Sequence, residues 1–159
     1  MKVKRALLRA RLLPFAAAGL LMLANCGDIQ GGSVSRAEVD PERLDFAVEQ
    51  VQALRSKGQR VWCVRFARNA SGIEIYGNAR TWWGQAAGQF ERKKEPHPGA
   101  VMAFSATRSN PHGHVAVVSA VEDPRLIRVN HANWHRNRVS LGMAVMDVSE
   151  NNDWSAVRL

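Results

Sequence analysis

The chain is poor in cysteine, in long apolar runs and in repeats, and each shortage narrows what it can be. Two cysteines, Cys26 and Cys63, stand in 159 residues, too few for a disulfide-stapled scaffold. No apolar stretch reaches the ~20 residues that a membrane-crossing helix needs. Leu12 to Ala24 comes nearest and is interrupted by Pro14. No internal repeat is visible, so one non-repetitive unit is expected, and the length suits one ordinary domain rather than two cores. Acidic residues are missing before position 12, where five bases lie (Lys2, Lys4, Arg5, Arg9, Arg11). Most of the +8 formal charge belongs to that segment; elsewhere 17 basic residues face 14 acidic ones. So small a surplus, without a nucleic-acid motif, argues against a nucleic-acid binder.

What is present at the start reads as an export leader. Met1 to Arg11 is a basic segment and Leu12 to Ala24 an apolar one, a pattern of cleaved signal peptides rather than anchors. Leu23-Ala24-Asn25-Cys26 resembles the lipobox of bacterial lipoproteins, with Asn25 departing from its small residue. Residues 1–26 are therefore expected to be a leader of possible lipoprotein type, with Cys26 as the lipid-bearing residue. Residues 27–39, opening on the Gly-rich Gly27 to Ser35, are expected to be a flexible spacer, and 40–159 the working domain. Localisation to the periplasm or cell envelope follows. Cys63 is then the single cysteine of the domain. An unpaired cysteine in an exported protein is either a reactive thiol or a buried core residue, and count alone does not choose.

Asp40-Pro41-Glu42 is a helix start: Asp40 caps, Pro41 suits the first helical position, and Glu42 favours the positive end. Leu44, Val48, Val51 and Leu54 recur near helical spacing until Lys57-Gly58. A second helix is predicted from near Trp62, with Cys63, Phe66, Ala67 and Ala70 on one face and Ser71-Gly72 closing it. A third is predicted over 78–90, burying Trp82, Trp83, Ala86 and Phe90. After a proline-rich loop over 91–99, strands are predicted at 100–105, 114–121, 126–130 and 139–148. Helices first and antiparallel strands afterwards give an α+β domain with the helices on one side of the sheet.

Cys63 at a helix N-terminus is well placed for chemistry, because free N–H groups and the helix dipole stabilise a thiolate. Such a nucleophile needs a base, and the base an orienting partner. Of five histidines, His97 sits in the proline-flanked loop and His112 in the Asn110-Pro111-His112-Gly113 turn. His114 opens the β-forming run Val115 to Val118 and is held on a rigid element. His131 and Asn133 are two apart, so in an extended chain both face one way, and either could orient His114. Among the tryptophans Trp134 stands beside these groups as a substrate-facing aromatic. Tyr76 reads equally as a pocket residue or core. His112-x-His114 and His131-x3-His135 also offer four imidazoles to a metal, but neither pair sits in a zinc framework, and no metal or other cofactor is expected.

Cys63-Val64-Arg65-Phe66-Ala67-Arg68, Tyr76-Gly77-Asn78-Ala79 with Trp82-Trp83, Pro98-Gly99-Ala100-Val101-Met102, Gly113-His114-Val115-Ala116-Val117-Val118 and His131-Ala132-Asn133-Trp134 resemble, in order, the blocks of the CHAP family (cysteine, histidine-dependent amidohydrolases/peptidases). The resemblance runs from about Leu44 to Val148. It implies a papain-like fold, with Cys63 as nucleophile and His114 as base and acid. Asn133 matches the family's orienting asparagine, while His131 stands where glutamate is frequent, so either is the third member. Trp62 replaces a frequent glutamine, leaving backbone N–H groups such as that of Cys63 for the oxyanion. With Tyr76 and Trp134, Trp62 is a candidate for binding substrate. The resemblance implies a monomeric hydrolase of peptidoglycan amide bonds, or a weakened module that binds cell-wall peptides without cutting them.

Overall fold

The computed structural model describes residues 39–159; the leader expected over 1–26 and all but the last residue of the expected spacer lie outside the described residues. Helix α1 (Pro41–Ser56) starts as its sequence dictates. The Asp40 carboxylate accepts from the N–H of Glu42 at 3.0 Å and of Arg43 at 3.3 Å, and Pro41 fills the first turn. Its Ala47 and Val51 are buried, with Leu44, Val48 and Leu54 packed against the same cluster. Helix α2 (Cys63–Ser71) buries Phe66, Ala67 and Ala70 and ends at Gly72, which is left-handed at φ 74°.

The third expected helix is mostly absent. A 3₁₀ turn (Ala79–Thr81) leads into one turn, α3 (Trp82–Gln85), and the chain then becomes irregular. Glycine costs about 1 kcal/mol relative to alanine inside a helix, and this segment holds Gly84 and Gly88, the latter at φ 77°. Only Trp82 of the expected inner face is buried; Trp83 and Phe90 are exposed.

Five strands follow: β1 (Val101–Phe104), β2 (His114–Asp123), β3 (Leu126–Ala132), β4 (Val139–Asp147) and β5 (Val157–Arg158). They pair in chain order, each antiparallel to the next. The fold is α+β, helices first and one antiparallel sheet afterwards. The two-residue β5 carries too little pattern to be read from sequence. Strand alternation divides the core: Val115, Val117 and Ala132 pack with the helices, while Ala116, Val118, Ile127, Val129 and Val145 form a second cluster. Met102, Phe104, Met143, Trp154 and Val157 cover that second face. A strand covered on both sides has no polar face, which explains the unbroken run Val115 to Val118.

One irregularity bears on the site. Val129 pairs with Met143 and His131 with Ser140, so Leu141 and Gly142 of β4 face Asn130 alone. This bulge is held by the Asn130 side chain, whose Oδ1 accepts from the Gly142 N–H at 2.9 Å, and Gly142 takes φ 66°. No helix among the described residues is long and apolar enough to cross a membrane.

Candidate active site

Cys63 is the first residue of α2. Trp62 precedes it in extended conformation and makes no capping hydrogen bond with its side chain. An indole has no acceptor to offer, so the first-turn N–H groups stay open to the thiol. Burial nonetheless pushes the Cys63 thiol above its ordinary 9.0; the N–H groups of Val115, Val64 and Cys63 pull the other way without prevailing. Val115 follows His114, so the sulfur lies against the first residues of β2. Trp62 is 44 % exposed, with the Arg60 guanidinium 4.0 Å above its ring.

The turn before β2 fixes where His114 emerges. Asn110 donates through Nδ2 to the Gly113 carbonyl at 3.0 Å and accepts through its own carbonyl from the Gly113 N–H at 3.2 Å. The His112 carbonyl accepts from the Arg80 N–H at 2.8 Å, and the His112 side chain is exposed. Gly113 has φ 69°, and a Cβ there would stand 2.8 Å from the Phe104 carbonyl oxygen and 2.9 Å from the Arg80 nitrogen. Both obstacles are backbone. Gly113→Ala should therefore lower stability by at least roughly 1–3 kcal/mol, the cost of one strained residue, and reduce activity in proportion as His114 shifts. An unchanged melting temperature would show that the turn relaxes freely.

His114 and His131 are both buried and meet across β2 and β3, Nε2 of His114 lying 2.9 Å from Nδ1 of His131. The other nitrogen of His131, Nε2, is 3.0 Å from the Met143 sulfur. A thioether only accepts. The Nε2 of His131 must then carry a proton, which leaves its Nδ1 as acceptor. His114 consequently donates from Nε2, and its Nδ1 keeps a bare lone pair. That chain of donors selects the tautomer of His114 with a basic nitrogen on the ring edge away from His131. Trp134 closes over the pair, stacked on His131 (28°, centroids 5.9 Å) and edge-on to His114 (67°, 5.1 Å). Burial lowers both imidazoles to about 4; beyond burial, His131 further disfavours charge on His114, and His135 on His131.

Asn133 does not share this contact. It has φ 63°, so the chain is no longer extended after Ala132 and the expected common face of His131 and Asn133 ends there. The Asn133 Oδ1 accepts from the Asn137 N–H at 2.8 Å, and Asn137 Oδ1 accepts from the Val61 N–H at 3.1 Å. Asn133 thus ties the β3–β4 loop, which in turn grips the chain two residues before Cys63. Tyr76 is not core: it is 61 % exposed, bonded to Glu74 at 2.7 Å with Arg68 over its ring, and it does not line the hollow that holds Cys63. His97 is exposed in its loop. Among the described residues no three His, Cys, Asp or Glu side chains gather closely enough to hold a metal.

Cys63 and His114 line one hollow of about 340 Å³, together with Trp62, His112, Asn133 and Trp134. A more apolar hollow of about 260 Å³, walled by Trp82, Trp83 and Phe90, contains neither. Residues 55–133, which hold Cys63, His114, His131 and Asn133, match the CHAP domain family. The chain carries a CHAP domain. No curated protein and no solved structure matches it. CHAP domains are in general hydrolases. Met143 lies beyond the matched residues, and no spacing in the sequence pointed to it; the bulge brings it to His131.

The CHAP site rests as a neutral pair. Burial lowers the His114 imidazole to about 4 and pushes the Cys63 thiol upward, so near neutral pH both groups favour their uncharged forms. A thiol proton passing from Cys63 to His114 would therefore move during an attack rather than before it. Alkylation of Cys63 by iodoacetamide should climb with pH through 9 and beyond, and base function of His114 should fade only as pH falls towards 4. A flat, fast alkylation plateau between pH 5 and 7 would instead reveal a preformed thiolate–imidazolium pair.

Proposed function

We propose that this CHAP domain is a cysteine hydrolase that cuts amide bonds of bacterial peptidoglycan through an acyl-enzyme. The observation that carries the reading is the hollow shared by Cys63 and His114, with the base tied by Nε2 to a buried second histidine. A papain-like arrangement, nucleophile on a helix and base on the facing sheet, accounts for that juxtaposition. The Cys63 sulfur attacks a peptide-stem carbonyl as its proton passes to Nδ1 of His114. The oxyanion is met by the Cys63 N–H at the uncapped first turn of α2. His114 returns the proton to the leaving amine, and the C–N bond breaks. A water that loses its proton to Nδ1 then releases the acid and restores the thiol. His131 orients the imidazole and accepts from Nε2 throughout, and Trp62 and Trp134 flank the substrate. The domain works as an exported monomer, with Cys26 as the residue that would carry a lipid anchor.

Incubating purified peptidoglycan with the protein and with Cys63→Ser, followed by mass spectrometry, tests this. Fragments from the unsubstituted protein alone are expected, and their new termini name the bond. One observation favours a second reading, a module that binds wall peptides without cutting them: the thiol is held above its ordinary pKa. A folded, reduced protein that pulls down peptidoglycan and releases nothing would establish that reading instead.

A further inference from the structure

Charge around the cleft is one-sided. The hollow of Cys63 and His114 adjoins a second one of about 410 Å³, the two sharing Arg60, Asn133 and Trp134. Arg136 adds a second guanidinium to that neighbour, and no aspartate or glutamate lines either hollow. Neither arginine forms an ion pair or a side-chain hydrogen bond among the described residues, whereas Arg43, Arg125 and Arg128 each meet a carboxylate. Arg60 is held by stacking on Trp62 at 4.0 Å. A stacked guanidinium keeps its edge N–H donors free for a planar acceptor. Arg136 belongs to the loop that Asn133 and Asn137 fix, so the second charge is also carried on a tied segment. A third hollow leaves the cleft at His114, Asn110 and Trp134 and contains no Lys, Arg, Asp or Glu; Ser105, Thr107 and Ser109 are among its walls. The surface thus offers two cations on one side of the nucleophile and no lysine or arginine on the other.

We propose that Arg60 and Arg136 form a carboxylate-binding subsite, and that the domain selects a peptide with a free carboxylate on that side of the scissile bond. As a statement of substrate class this rests on the hydrolase reading above, but the subsite can be tested without any substrate. Cys63 is alkylated by anionic iodoacetate and by neutral iodoacetamide at one alkaline pH, and the ratio of the two rates reports the local potential. The ratio should fall roughly three- to tenfold in Arg60→Gln/Arg136→Gln, as expected when unit charges several ångströms away are removed. It should stay unchanged in Arg55→Gln, which removes an exposed charge from α1. Salt gives a second route that needs no variant: near 1 M NaCl the screening length is about 3 Å, and the unsubstituted protein should approach the double variant's ratio. For stem peptides, KM should rise about tenfold in the double variant with kcat within about twofold, and amidating the peptide carboxylates should remove that difference. A ratio equal in all variants and insensitive to salt overturns the subsite, even if peptidoglycan is cut. A ratio that responds while peptidoglycan yields no fragments supports the subsite and defeats the wall-hydrolase reading alone.

Discussion

Replacing His114 with alanine will cut fragment release from peptidoglycan by on the order of 10⁴–10⁶-fold, the scale on which single members of a nucleophile–base pair are lost. The effect is so large because the resting thiol is neutral. Where a thiolate is already present, loss of the base leaves a usable nucleophile. Here burial pushes the Cys63 thiol above its ordinary range, so attack without His114 must draw on a scarce thiolate. The leaving amine also loses its proton donor. The fall should appear in kcat, with KM little changed, since His114 meets the reacting atoms rather than the distant substrate. His131 Nδ1 would be left without its partner in a buried place, costing about 1–3 kcal/mol, so the melting temperature must be read alongside the rate. Raising the pH well above 9 should recover part of the alkylation rate of the variant but not its hydrolysis. A loss below about tenfold in a folded His114→Ala protein would mean that another group takes the thiol proton.

How far the sequence discloses this site depends on the range of the forces that build it. Cys63 at the head of α2 is legible because capping, glycine termination and the Phe66, Ala67, Ala70 stripe are all local. His114 on its strand is legible for the same reason, since Gly113 and the run Val115 to Val118 lie beside it. The antiparallel meander follows from short strands separated by turns, although β5 is too short to carry a pattern. Helix α3 is shorter than its apolar spacing predicts, because Gly84 and Gly88 interrupt the segment. Which of His131 and Asn133 contacts His114 is closed to sequence, because it turns on one backbone angle: at φ 63° Asn133 leaves the strand. Arg60 and Arg136 stand 76 positions apart in the numbering, and only the loop fixed through Asn137 brings both to one hollow. Met143 is hidden more deeply still, since its approach to His131 depends on a bulge that Asn130 stabilises from the neighbouring strand.

The relative effects of His131 and Asn133 are the second large expectation. His131→Ala should lower kcat by on the order of 10²–10⁴-fold, because an orienting residue lost from a catalytic triad costs within or near that span. Without an acceptor at 2.9 Å from its Nε2, His114 is no longer obliged to carry its proton there. The tautomer with Nδ1 protonated cannot take a proton from Cys63, and the fraction of correctly poised molecules drops. His131→Asn places an amide oxygen near the position of the lost Nδ1 and should recover part of the rate; a purely structural role for His131 would not favour asparagine over alanine in this way. The acid limb should move as well. Alanine removes the neighbour that disfavours charge on His114 but also opens the site to water, so the His114 pKa should rise from about 4 towards its ordinary 6.5, and the loss of activity on acidification should begin at higher pH. Asn133→Ala should behave differently. It deprives the Asn137 N–H of its acceptor, costs about 1 kcal/mol of stability, and lowers kcat by less than about tenfold through a looser loop, without shifting the acid limb. If Asn133→Ala instead proves the more damaging to kcat and moves the acid limb, while His131→Ala leaves both in place, then the loop rearranges on substrate binding and the asparagine, not the buried histidine, orients the base.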